Sequence, residues 1–267
     1  MDNIEQNDVV IKSWADLCER VYEGSWQEDI MRFRSNYAFR GLSDRDFKLL
    51  TSFSRNCGDL TPLEYHLLRS FRKYARLDDV DIAADSHWRW LTLAQHHGLP
   101  TRLLDWTYSP FVALHYATME TSKYDKDGVI WKVDYVKANR LLPEPLISQL
   151  KNANAHALTV GMLERTLPDI RSFDKLSPEL IVAFFEPPSI DARIVNQFAL
   201  FSFMSNPGAG MEEWLIKHPD LFRRIIIPSN LKWEIRDKLD QANITERMLF
   251  PGLDGLASWL KRYYQPR

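Results

Sequence analysis

The stretch LAQHHGLPTRLLDWTYSP, residues 93–110, holds the densest set of chemistry-bearing side chains in the chain. It carries His96, His97, Thr101, Arg102, Asp105, Trp106, Thr107 and Ser109 among two prolines and a glycine. Ser109-Pro110 marks a helix start, whose first N–H groups have no partner in their own helix. A helix N-terminus beside an arginine is a ready anion site. The structural alternative is that Asp105 pairs with Arg102, Ser109 only caps the helix and Trp106 is core. His96 and His97 are adjacent, so they leave a helix in different directions and do not form an i, i+4 metal pair. With no carboxylate completing a cluster, no metal is expected. One histidine is expected to hydrogen-bond into the loop and the other to face solvent.

Three other groups have suggestive spacing. Phe39-Arg40-Gly41 ends an alternating run in which Arg40 faces away from Tyr37 and Phe39, and Gly41 lets a backbone or a ligand come close. Arg69, Arg72, Lys73 and Arg76 fall on one helical face, either a solvated surface or a strip that tracks nucleic-acid phosphates. Glu186 ends an apolar run, and Arg193 and Gln197 follow at i and i+4 spacing.

These groups must be held by the elements around them. Residues 10–24 place Ile11, Trp14, Leu17, Cys18 and Val21 at helical spacing, closed by Gly24. NYAFRGLS reads as a strand and turn. Thr61, Pro62 and Glu64 read as a capping box for a helix burying Leu67, Phe71 and Tyr74. A helix from about Asp85 to His97 stops at Gly98, and another starts at Pro110 and turns Phe111, Leu114 and Ala117 inward. GVIWKVDYV, ELIVAFFEPP, FALFSFMS and LFRRIIIPS read as strands, and Ser229 as the cap of a late helix reaching Ala242.

Helices crowd the first half and strands the second. That distribution predicts an α+β fold: one domain whose helix-rich N-terminal half packs on a mixed, largely antiparallel sheet. Residues 1–35 read as an N-terminal helical segment and 36–267 as the main domain. The 267 residues are 45% hydrophobic and 26% charged with a net charge of -2, so no global field draws the protein to nucleic acid or membrane. Two cysteines, an acidic opening segment and the lack of an apolar run near ~18 residues point to the cytoplasm and away from a membrane.

Phe39-Arg40-Gly41, QHHGLPTRLLDWTYSPFVALHYA at 95–117, ARIVNQFALFSF at 192–203 and LFPGLDGLA at 249–257 together resemble the FRG domain family. Their order is similar to that of ADP-ribosyltransferases, which implies a split sheet and NAD as substrate. By that resemblance Arg40 is the first-strand residue, and TYSPFVALHYA supplies the second strand end and its helix. Gln197 or Glu186 stands third, and Asp105 is another possible carboxylate. Thr107 or Ser109 would then steady the ribose, and an arginine, Arg40 or Arg102, would take the phosphates or the ribose. The helix start at Ser109 would face a phosphate, Thr101 and Asp105 would join the cofactor-binding set, and Trp106, Tyr108 or His97 would stack on a ring. Gln197 stands where many transferases carry glutamate. That leans toward a nucleobase acceptor, RNA being favoured, or toward a fold that has lost catalysis. The resemblance also implies a bacterial toxin or phage-defence effector restrained by an antitoxin or regulatory protein. The competing expectation is a non-catalytic module that binds a nucleotide or a partner.

Overall fold

The computed structural model describes residues 4–58, 60–75 and 86–266. Among the described residues there are ten strands: β1 Asp8–Val10, β2 Trp26–Gln27, β3 Arg32–Phe33, β4 Tyr37–Leu42, β5 Leu104–Thr107, β6 Gly128–Asp134, β7 Leu158–Thr159, β8 Val182–Glu186, β9 Ala199–Met204 and β10 Phe222–Ile227. Strands β2 and β3 form a small antiparallel pair. The other eight make one mixed sheet in the order β1-β10-β6-β4-β5-β9-β8-β7. Only its two edge pairs, β1 with β10 and β7 with β8, are parallel. The fold is the expected α+β class with a largely antiparallel sheet.

Side-chain alternation along the strands builds two faces. On one face Ala38, Leu104, Trp106, Trp131, Phe184 and Leu200 share a continuous core with the helices Tyr135–Asn139 and Met211–Ile216. The other face is divided. Phe39, Ile130 and Ile225 pack under the helices Trp14–Tyr22, Pro110–Thr118 and Lys232–Gln241. Phe185, Phe201 and Phe203 pack under the helices Pro62–Tyr74, His87–His96 and Glu144–Ala153. The division falls between β4 and β5, which are joined through a single register pair, Phe39 with Thr107. Neighbouring strands pair over four or more positions on either side of this junction. The sheet is therefore two half-sheets meeting at one point.

Local chemistry explains most elements and corrects several expectations. The segment 101–109 is not simply a connection, because residues 104–107 form the interior strand β5. The first helix is shorter than expected, Trp14–Tyr22, because the Ser13 hydroxyl caps it by accepting from Asp16 N. Within residues 1–35, β1 joins the main sheet beside β10, so this segment is more than helical. Thr61 makes no side-chain cap bond to its helix, and Glu64 turns into the core to meet Arg102 instead of closing a capping box. Tyr74 is exposed, and Leu68 takes the buried position on that helix. Ser229 opens a 3-10 turn, and the helix proper begins at Lys232 without a side-chain cap. Asp85 and Arg76 lie outside the described residues.

Gly41 fits because the backbone of the Pro110–Thr118 helix lies against it. A Cβ there would run into the Ala113 carbonyl and stand 2.8 Å from Ala117 N. The close approach is made by a backbone, not a ligand.

Candidate functional site

The parting of β4 and β5 leaves a cleft of about 210 Å³ that is open to solvent. Its floor comes from Arg40, Gly41, Asp105, Thr107 and Phe201 of three strands. Gln95 and His96 enter from the end of one helix, Tyr116 from a second, and Arg193, Ile194 and Gln197 from the Ala192–Asn196 helix and its C-terminal end.

Arg40 is the central cation. Its Nη1 donates to the Asp105 carbonyl at 2.6 Å, bridging the two half-sheets. Its Nε is buried without a hydrogen-bond partner, and among the described residues the side chain makes no ion pair. Burial lowers its pKa from the ordinary arginine value, and the nearby Asp105 opposes that shift. A guanidinium in this state has unspent donors and unneutralised charge, which suits an anion.

Asp105 is exposed to the cleft and does not pair with Arg102. Both of its carboxylate oxygens accept from Gln95 Nε2 at 3.0 Å. The Gln95 amide is oriented in turn by the Thr101 hydroxyl, which donates to Gln95 Oε1 at 2.5 Å. Thr101 is thus a buried support behind the cleft rather than part of its wall. Arg102 is spent elsewhere: its Nε donates to both Glu64 oxygens at 2.8 and 2.9 Å, and its Nη1 meets Asp174. Burial opposes the charge on Arg102, but the bonds to Glu64 and Asp174 outweigh it and raise the pKa. Arg102 therefore cannot bind phosphate in the cleft. Its partners lie far along the chain, beyond the reach of a local reading.

The Thr107 hydroxyl donates to the Gln197 carbonyl at 2.7 Å and accepts from Ser109 N at 3.0 Å. Gln197 Nε2 donates to the Leu249 carbonyl at 2.9 Å. Thr107 and Gln197 do converge on the cleft, but both are engaged with backbone. Ser109 caps the Pro110–Thr118 helix by accepting from Val112 N at 3.4 Å, and it is not among the cleft-lining residues. Trp106 borders the cleft while its indole is core, with Nε1 donating to Ser202 Oγ at 2.8 Å.

Two sequence assignments move. Glu186 lies away from the cleft and accepts from the Tyr108 hydroxyl at 2.8 Å at the end of β8. His97 is exposed, and its neighbour His96 lines the cleft in contact with Asp191. The expected basic stripe is on another surface: Arg69 and Lys73 are exposed, and Arg72 lies 5.5 Å from the Trp90 ring centroid. Sequence reasoning also missed Gln95 and Tyr116 as cleft residues. Burial pushes the Tyr116 hydroxyl up to about 12, with Asp105 adding to the shift and Arg193 opposing it. Arg193 lies over the Phe250 ring at 5.0 Å. The helix YA register after Ser109-Pro110 was the available signal for Tyr116.

Among the described residues no group of three or more His, Cys, Asp and Glu could hold a metal ion. No described helix is long and apolar enough to cross a membrane. The fold and the cleft define an α+β protein with a cationic site at the junction of two half-sheets. Residues 35–126 match the family model of the FRG domain, so the chain carries an FRG domain there. The match covers Arg40 and the 93–110 segment and stops before Arg193 and Gln197. No curated protein and no solved structure gives a significant match to the chain.

Proposed function

We propose that this protein is an NAD-dependent ADP-ribosyltransferase, with NAD bound in the cleft between β4 and β5. The observation that carries the reading is the convergence of Arg40, Asp105, Thr107 and Gln197 on one cleft, with Arg40 keeping a buried donor unspent. Arg40 and Arg193 would face the pyrophosphate, since neither makes an ion pair among the described residues. The reaction breaks the ribose C1′–nicotinamide bond, and the electron pair leaves with nicotinamide. The acceptor forms the new bond to C1′ and gives up a proton. Positive charge grows on the ribose as the bond breaks, as in glycoside hydrolysis. The Asp105 carboxylate, fixed by Gln95, would stabilise that charge. Thr107 would act by holding the Gln197 backbone, and Gln197 would offer its amide oxygen to a ribose hydroxyl.

The acceptor favoured by a neutral Gln197 is a nucleobase amine, with RNA ahead of DNA, because such a group needs less deprotonation than a hydroxyl. The toxin or defence setting, with a restraining protein partner, belongs to this reading by resemblance. A second reading, a non-catalytic nucleotide-binding module, is favoured by one observation: the Thr107 hydroxyl and the Gln197 amide nitrogen are already bonded to backbone.

The test incubates purified protein and its Arg40→Ala variant with labelled NAD and separate pools of RNA, DNA and cell protein. Arg40-dependent label on one pool supports the transferase and identifies the acceptor class. NAD binding without label or nicotinamide release supports the second reading.

A further inference from the structure

His96 and Asp191 form a pair that the reading above does not use. His96 lines the cleft from the last turn of the His87–His96 helix. Its Nε2 contacts Asp191 Oδ2, and its side chain is 11% exposed, against 43% for Asp191. The other Asp191 oxygen, Oδ1, accepts from Arg193 N at 2.9 Å and Ile194 N at 3.1 Å, capping the helix that carries the opposite wall. One carboxylate thus fixes both the imidazole and the Arg193–Gln197 segment. With Nε2–H donated to Asp191, the neutral ring keeps Nδ1 as its acceptor nitrogen.

We propose that His96, oriented by Asp191, is the general base that takes the acceptor's proton in the cleft, an inference that rests on the transferase reading. The division of labour follows from chemistry. Asp105 is held by two bonds from Gln95 and sits beside Arg40, where its charge serves the ribose. An imidazole is better matched to proton transfer at neutral pH than a carboxylate. The acceptor's N–H proton passes to His96 Nδ1 as its nitrogen bonds to C1′, and then to water, so the enzyme returns to its starting state. Asp191 is a positioning residue, as in other arrangements where a carboxylate sets a catalytic histidine's tautomer.

Burial lowers the pKa of His96, Asp191 opposes that, and Arg193 and the adjacent His97 lower it further. Arg40 and Asp105 line the same cleft. Neutral His96 is the active form, so transfer should fall on the acid side along a single ionisation below the ordinary histidine value of about 6.5.

The test is the pH profile of label transfer from NAD for wild type, His96→Gln and Asp191→Asn, with melting temperatures measured in parallel. The expected result is a loss of about 10²- to 10⁴-fold in His96→Gln at pH 7.5 and disappearance of the acid limb. Asparagine is a good N-cap, so Asp191→Asn should keep the helix while removing the charge that favours imidazolium. Its acid limb should move to lower pH, which a merely structural contact would not cause. Active wild type with an unchanged profile in His96→Gln overturns the role of His96 and leaves the transferase reading standing. Wild type that binds NAD but transfers nothing to any pool overturns the transferase reading, and this inference with it.

Discussion

The guanidinium of Arg40 donates to the backbone carbonyl of Asp105 at 2.6 Å, across the one place where the sheet is joined by a single register pair. A side chain thus spans the gap where strand pairing stops. The same arginine lines the cleft that the gap creates and leaves its buried Nε unpaired. Structure and candidate chemistry meet in one residue, and the consequences can be measured.

Arg40→Ala should abolish label transfer while leaving the fold intact. The variant loses one hydrogen bond to a carbonyl, worth on the order of 1 to 3 kcal/mol when the donor is charged. Arg40→Lys should not restore activity, because an ammonium cannot reproduce the planar fork. Wild-type rates in Arg40→Ala, at equal expression and melting temperature, would remove the residue from the site.

Stability should respond to Arg102 and Glu64, not to Asp105. Arg102 is 2% exposed and joined to Glu64 and Asp174. Removing one partner of such a buried pair typically costs about 3 to 5 kcal/mol. Urea unfolding of Glu64→Gln and Asp105→Asn gives the comparison. A larger loss in Asp105→Asn would contradict the bonding described for the two carboxylates.

Gly41→Ala should destabilise the protein by roughly 1 to 3 kcal/mol or more, since the added methyl meets the Ala113 carbonyl. The cost arises from pushing the Pro110–Thr118 helix off β4. Retention of the wild-type denaturation midpoint would show that the helix shifts without cost.

Acid should weaken the fold through His115. This residue is fully buried, and its Nδ1 lies 2.8 Å from Arg236 Nη1. Burial, with Arg236 adding to it, pushes its pKa down to about 3. The folded state therefore holds the neutral ring, while the unfolded chain binds a proton near pH 6.5. The stability tied to this group is complete above about pH 6.5 and falls as pH drops toward 3, with a slope approaching 1.4 kcal/mol per pH unit. His115→Asn keeps an acceptor for Arg236 and removes the titration. The difference between wild-type and variant unfolding free energies should narrow or invert between pH 6.5 and 4.5, and a constant difference would refute the assignment.

The sequence by itself determined the elements and some of their ends. An alternating run marked β4, and apolar or aromatic runs bounded by breakers marked β6, β8, β9 and β10, because one or both faces of each strand had to be buried. Ser109-Pro110 specified a helix start, and the Ser109 hydroxyl does cap it. Tertiary structure alone decided the partners. Arg102 chose Glu64 and Asp174, which lie 38 and 72 residues away, over the near Asp105. Glu186 went to Tyr108, 78 residues distant, rather than to the cleft. At the end of the His87–His96 helix, one step of about 100° separates a cleft residue from a solvent-facing one. Local spacing cannot set that phase, so the sequence left open which histidine turns inward, and the packed helix puts His96 in the cleft and His97, the ring-stacking candidate by resemblance, in solvent. Side-chain type and short-range order are written along the chain, but the choice among charged partners depends on which strands lie together, and only the packed sheet fixes that.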